Sequence, residues 1–443
     1  MSRIRLSDHF TVSKLIRFVL PSVAMMIFTS VYGIVDGIFI SNFCGKAAFA
    51  GVNLIMPFGM LVSSLGFMIG AGGSALVAKT LGEGKRDTAN RYFSMMVYLT
   101  VTIGVVTSVL GIVFMEKVAL LLGATTDMLD SCVLYGRTLF AFNTAFMLQC
   151  LFQSFLVAAE KPRLGLFVTV AAGLTNMLLD PLFVGAFGMG VFGAALASGL
   201  SQCVGGLVPL IYFLRPNNSL LRLVLTRPEP KPLIKACANG SSELMSNVSG
   251  ALVGMAYNFQ LVKHSGDDGV AAYGVLMYVL FIFAAIFIGY SIGSAPVVGY
   301  HYGAKNKDEL KNLLRKSLVI MGACGIALTL SAELSAPVLS GIFVGYDKTL
   351  LDMTTTAMRI YSLHFVIAGV NIFLSSFFTA LNNGAVSAAI SFIRTIVLQL
   401  LFVMLLPEIF GIGGIWWAVN AAEIGALGVS LAFLAAKRKK YGY

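Results

Sequence analysis

Two carboxylates stand in stretches that should exclude water. Asp36 lies in Ser-Val-Tyr-Gly-Ile-Val-Asp-Gly-Ile-Phe-Ile, and Asp180 lies in Thr-Asn-Met-Leu-Leu-Asp-Pro-Leu. A carboxylate in such surroundings has two usable states. Protonated, it is neutral and compatible with apolar neighbours; ionised, it needs a cation or hydrogen-bond donors. That makes it an ion-coupling switch, with interhelical hydrogen bonding as the plainer alternative. Asn176 precedes Asp180 by one helical turn and shares its face. Pro181 lacks a backbone donor and crowds the carbonyl four residues earlier, so the polar pair is expected beside a pliable helix.

The rest of the chain holds few other groups of this kind. Glu243, in Gly-Ser-Ser-Glu-Leu-Met-Ser-Asn, can serve as a second protonation site, as a counter-ion for a cationic substrate, or as a polar contact near the interface. Arg394 lies in an apolar run and is expected to pair within its own bundle, with Glu423 as one candidate partner, in preference to touching substrate. Arg137 and Arg359 fall near span ends, where snorkelling accounts for them. His9, His264, His301 and His364 show no metal-ligand spacing. Gly45-Lys46 and Gly84-Lys85 are followed by Ala and Arg, so no phosphate-binding G-x-x-x-x-G-K-[ST] loop exists, and Gly70 to Gly73 read as close helix packing. The six cysteines, Cys44, Cys132, Cys150, Cys203, Cys237 and Cys324, read as small buried apolar residues.

The elements that must carry these residues follow from composition. Of 443 residues, 58% are hydrophobic and 12% charged, with mean hydropathy +0.86. A soluble enzyme and a disordered protein are excluded, and the class is an all-α polytopic membrane protein. Apolar runs broken by Gly, Pro and charge give twelve transmembrane helices near 14–40, 49–79, 90–115, 130–158, 163–185, 190–213, 232–263, 269–300, 311–333, 350–380, 385–406 and 411–436. The start of the chain, through Lys14 and Arg17, shows no cleavable signal pattern. Basic residues divide 24 to 4 between the two sides, with Lys46, Lys117, Lys263 and Lys348 on the poorer one. The positive-inside rule then places both termini in the cytoplasm and explains the net charge of +11 without nucleic acid. The 20 methionines and 33 phenylalanines are consistent with an adaptable apolar cavity, although composition cannot locate one.

The chain also repeats itself at an offset of about 221. Gly72, Val77, Gly82 and Asp87 match Gly293, Val298, Gly303 and Asp308; Arg137 and Ser154-Phe155 match Arg359 and Ser376-Phe377; Gly190 and Gly193 match Gly411 and Gly414. Two six-helix bundles, 1–214 and 232–443, joined by a cytoplasmic linker 215–231, are therefore expected. Because six is even, both insert in one orientation, related by a pseudo-two-fold axis along the membrane normal.

With these spans, Asp36 in span one, Asn176-x-x-x-Asp180 in span five, and paired loops Gly82 to Asp87 and Gly303 to Asp308, the chain resembles the multidrug and toxic compound extrusion (MATE) family over nearly its whole length. The resemblance implies secondary active export of organic, mostly cationic and amphipathic compounds, in antiport with protons or sodium ions, by alternating access. It maps the first-half cation site of prokaryotic members onto Asp36, Asn176 and Asp180. Ser198 stands for a hydroxyl of that site, Tyr135 is similar to an aromatic near it, and Gln202 extends the polar face. In the second half Glu243 stands for an acid used by some members, whereas span ten offers His364 and Asn371 where an acid is expected. Coupling is therefore expected in the first bundle. A monomer in the cytoplasmic membrane is implied, without enzyme activity, with membrane lipids around it, and with no cofactor or metal beyond a sodium ion at Asp36, Asn176 and Asp180. The runner-up is a lipid-linked saccharide flippase of the same superfamily. An enzyme acting on lipid phosphates would need clustered acids with a divalent ion, and a passive channel is disfavoured by the two-bundle repeat.

Overall fold

The computed structural model describes residues 4–43 and 46–443; the side chains of Ile34, Ile38 and residues 41–49 are not described. Arg3, Cys44, Gly45 and the Lys46 side chain thus lie outside the described residues. Among the described residues the structure is helical, without strands. The first half contains α1 (Val12–Phe43), α2 (Lys46–Gly82), α3 (Arg86–Leu121), α4 (Thr126–Ala141), α5 (Asn143–Ala158), α6 (Pro162–Asp180) and α7 (Gly190–Leu214). The second contains α8 (Pro230–Gly303), α9 (Lys307–Val344), α10 (Lys348–Ser362), α11 (Phe365–Ala380), α12 (Gly384–Phe392), α13 (Gln399–Phe410) and α14 (Ile412–Tyr441).

Among the described residues nine helical runs are long and apolar enough to cross a membrane, one of them the continuous run Gly384–Phe410 that joins α12 to α13. Two pairs, α4 with α5 and α10 with α11, cross together as broken spans bent by 54° and 45°. The 74-residue α8 divides at Gly266, whose φ of 59° suits glycine, into two spans. The result is twelve spans, six in each half. Buried hydroxyls along them bond back to carbonyls one turn earlier, as Ser94 does to Asn90 O and Thr100 to Met96 O, which satisfies polar groups that lipid cannot.

The fifth span of each half contains one wide, π-helical turn. Pro181–Ala186 follows α6, where Pro181 cannot donate a backbone bond, and Ile393–Leu398 separates α12 from α13.

The halves meet through glycines at the end where the basic residues gather. Gly82 on α2 lies so near α8 that a Cβ there would stand 2.0 Å from Tyr300 O, and one on Gly303 would stand 1.9 Å from Lys79 O. These repeat-related glycines thus face one another across the pseudo-two-fold axis. Deeper in, Gly72 abuts Ala236 O and Gly240, and its repeat mate Gly293 abuts Val19. Toward the other end the packing is open: a Cβ added to Gly33 or Gly37 on α1, or to Gly250, Gly254 or Gly274 on α8, would meet nothing within 4 Å.

Two non-helical straps reinforce the basic end. Leu6 and Phe10 are fully buried, with Phe10 edge-on to Phe18 and His301. Leu6 N–H donates to Glu160 Oε1 of the first half (2.7 Å), and Phe10 N–H donates to Glu309 Oε1 of the second (2.9 Å). His9 Nδ1 lies 2.6 Å from Glu309 Oε2, and Asn312 and Lys316 donate to Phe10 O. Between them, Asp8 feels a burial cost that would raise its pKa, yet the Arg5 N–H and Lys14 hold it below the ordinary carboxylate value. The linker repeats the device in reverse. Arg222 N–H donates to Asn90 Oδ1 (3.0 Å) and Val224 N–H to Ser94 Oγ (2.9 Å), while Leu221 is buried. The third span of each half therefore grips the segment that leads into the other half.

Glu309→Ala removes the acceptor that serves Phe10 N–H and His9 together. Amide exchange over Leu6 to Phe10 is expected to accelerate by about tenfold or more, the equivalent of one lost charge-assisted bond. Unchanged exchange would show that burial of Leu6 and Phe10 alone holds the strap.

Candidate functional site

The first-bundle site is built from three spans. Asp36 comes from the half of α1 remote from the basic end, Asn176 and Asp180 from the last turn of α6, and Ser198 from α7. Asp180, Asn176 and Ser198 lie close around the Asp36 carboxylate, and Asn176 Nδ2 lies 3.4 Å from Ser198 Oγ. Asp36, Asn176 and Asp180 are 4%, 1% and 0% exposed. One oxygen of Asp36, both of Asp180 and the Asn176 amide oxygen are buried with no donor. Two carboxylates side by side in a low-dielectric interior cannot both hold a full negative charge without compensation, so they must share a proton or a cation. The Asn176 oxygen and the Ser198 hydroxyl add neutral acceptors of the type a sodium ion accepts. Among the described residues no cluster of three or more His, Cys, Asp or Glu forms a further metal site.

Tyr135, from α4, is buried within electrostatic reach of both carboxylates. Gln202 lies one turn beyond Ser198 with its Oε1 buried and unpartnered. Sequence reasoning passed over Tyr32 and Gln149, which lie close to each other, with Tyr32 within electrostatic reach of Asp36. It also passed over Asn143, at the break between α4 and α5, which bonds Ser63 (3.0 Å) and Thr107 (2.9 Å) and so braces the broken span. The only sequence signal for either is a polar residue within an apolar run.

A separate cavity of about 380 Å³ lies where the halves adjoin. Phe67 and Ser154 of the first half face Glu243, Tyr361, His364 and Arg394 of the second across it. The structure thus brings Glu243 and Arg394 to one wall, remote from Asp36. Arg394 forms a fork onto Glu423: Nη2 lies 2.8 Å from Oε1, and Nε lies 2.9 and 3.0 Å from Oε1 and Oε2. Asn371 Nδ2 adds a 2.7 Å bond to Oε2. With that pair neutral, Glu243 is the one carboxylate of the cavity wall that has no opposite charge among the described residues. Arg137 and Arg359 remain near the surface, the first bonding Ile112 O and the second 3.8 Å from Glu333. Of the described cysteines, Cys132 and Cys150 are buried and Cys203, Cys237 and Cys324 half-buried, all as free thiols.

The MatE family model matches residues 21–182 and again 244–405, one copy in each half. The chain belongs to the MATE family. Its curated relatives include the multidrug export protein MepA of Staphylococcus aureus, 22% identical over 92% of this chain and 90% of that protein. MepA of Staphylococcus saprophyticus is 23% identical with the same coverage. Among solved structures, this MATE protein is similar to an outward-facing multidrug resistance MATE family transporter, with TM-score 0.93 at 20% identity over 100% and 99% of the two chains. It is also similar to a MOP superfamily transporter from Pyrococcus furiosus described as having a binding pocket of reverse polarity, with TM-score 0.91 at 20% identity over 98% of each chain. The family is one of membrane transporters, so this MATE protein is a polytopic transporter and not an enzyme.

Proposed function

We propose that this MATE transporter exports organic, mostly cationic and amphipathic compounds in antiport with protons or sodium ions. The observation that carries this reading is the buried Asp36, Asp180 and Asn176 constellation, in which one oxygen of Asp36, both of Asp180 and the Asn176 amide oxygen have no donor. It has the chemistry of a site that alternates between an ion-bound and an ion-free state. The export of several drugs by the MepA relatives, which their names record, supports the substrate class.

The positive-inside rule puts the basic end, both termini and the straps in the cytoplasm. The glycine contacts then close the cytoplasmic side, and the open packing around Gly33, Gly37, Gly250 and Gly254 supports halves that part toward the outside. In this orientation an incoming ion reaches Asp36 and Asp180 from outside and relieves their mutual repulsion. The wide turn after Asp180 gives α6 a place to bend as it does so. Substrate leaves the cleft, the bundles rock, and the ion departs inward. Coupling requires only that ion and substrate prefer different states. The aromatic wall and the uncompensated Glu243 suit an amphipathic cation. Cleft and ion site lie within one chain, which fits a monomer in the cytoplasmic membrane.

The test is efflux of a fluorescent lipophilic cation from proteoliposomes with a proton gradient or a sodium gradient imposed separately. Efflux under one gradient and not the other is the expected result and names the ion. No efflux under either would overturn the reading.

A further inference from the structure

The second bundle contains the same donor chemistry as the first, already filled. Glu423 is 2% exposed, yet its carboxylate is fully engaged by the Arg394 fork and by Asn371 Nδ2, which also bonds Glu423 O at 3.0 Å. Asn371 Oδ1 is buried with no partner, as Asn176 Oδ1 is. Each bundle thus sets an asparagine against a buried acid. In the first bundle no cation among the described residues neutralises the acids; in the second, a guanidinium does. Arg394 stems from the wide turn Ile393–Leu398, lines the cavity and is 17% exposed, so the cation reaches Glu423 from the side open to the cavity.

We infer that Arg394 is a tethered cation filling a second cation site made by Glu423 and Asn371. A guanidinium does not release its proton in a protein, so this site stays occupied through the cycle and takes no mobile ion. Ion movement then belongs to the first bundle. The latent ligand class is a small monovalent cation, and guanidinium is the best fit because it can restore both arms of the fork. The inference extends the proposed role of Asp36 and Asp180, but its test reads binding alone and does not depend on transport.

Arg394→Ala would leave Glu423 buried without its counter-charge and open the site to the cavity. The probe is guanidinium at millimolar concentration, with sodium, potassium and choline at equal ionic strength. Thermal melting of the purified variant is expected to be lowered by several degrees and to recover along a saturating curve with guanidinium, less with sodium, and not with choline. The intact chain and Arg394→Ala/Glu423→Gln should show no such curve. Should Arg394→Ala not survive purification, the monodisperse fraction in membrane extracts serves as the readout. Guanidinium should raise that fraction only where Glu423 is present. Equal responses to all four salts, a response that persists without Glu423, or no response in either assay would overturn the inference. A failure of Asp36 to couple ions would leave these outcomes unchanged.

Discussion

Asp36→Asn and Asp180→Asn, made separately, are each expected to bring gradient-driven efflux down to the passive level while leaving the protein folded. The loss should be about 5- to 150-fold, the range that coupling free energies of about 1–3 kcal/mol produce. Stability should hold or rise. Each substitution removes one of two adjacent charges and brings an amide N–H against acceptors that have no donor in the structure. That combination separates coupling from a structural role. If the two acids served only to hold α1 against α6, replacing either would lower stability and leave any remaining efflux ion-dependent. A second reading sharpens the test: the coupling ion should stabilise the intact protein by about 2.7 kcal/mol at a hundred times its dissociation constant, and neither variant should respond. Efflux unaffected by both substitutions would sink the assignment of the ion site.

The parts of this architecture that follow from local pattern are legible in the sequence. Twelve apolar runs correspond to twelve spans because lipid requires each crossing to satisfy its own backbone. The repeat is legible as well, and its most persistent marks, Gly72, Gly82, Gly293 and Gly303, prove to be the contacts about the symmetry axis. The grouping of Asp36, Asn176, Asp180 and Ser198 is foreshadowed by helical spacing, since Asn176 and Asp180 share a face.

What escapes the sequence depends on which helices become neighbours. Span ten offers His364 and Asn371 where an acid is expected, but Asn371 receives one from α14, where Glu423 lies 52 residues away in the chain. No periodicity reveals that pairing. The breaks at Phe142 and at Leu363 to His364 are likewise silent, because neither contains a proline or glycine and both interrupt otherwise apolar runs. Glu309 reads as one more charge in a cytoplasmic loop, yet it is 5% exposed and holds the strap that joins the halves. Pro181 marks one wide turn in advance, whereas Ile393–Leu398 bears no such mark.

The glycine contacts carry the second large prediction. Gly82→Ala would place a methyl group 2.0 Å from Tyr300 O, a backbone atom that can yield only if α2 and α8 move apart. Overpacking of this kind costs about 1–3 kcal/mol, which shifts an equilibrium between closed and open states by about 5- to 150-fold. The cost falls on the state with the basic end closed, since the contact exists only there. Gly82→Ala should therefore populate the opposite state and slow efflux by about tenfold or more. Cys237 offers a native reporter: it is half-buried next to Ala236, whose carbonyl abuts Gly72. Its reaction with a thiol reagent, in a background lacking the other cysteines, should accelerate in Gly82→Ala. Gly303→Ala should act alike, and the double variant should cost less than both together, because once the helices have parted for one methyl the second meets little. Gly33→Ala and Gly250→Ala, where nothing lies within 4 Å, should leave labelling and efflux unchanged. Equal Cys237 reactivity in Gly82→Ala and the intact chain would mean that the glycine pair is ordinary helix packing and that the seal lies elsewhere.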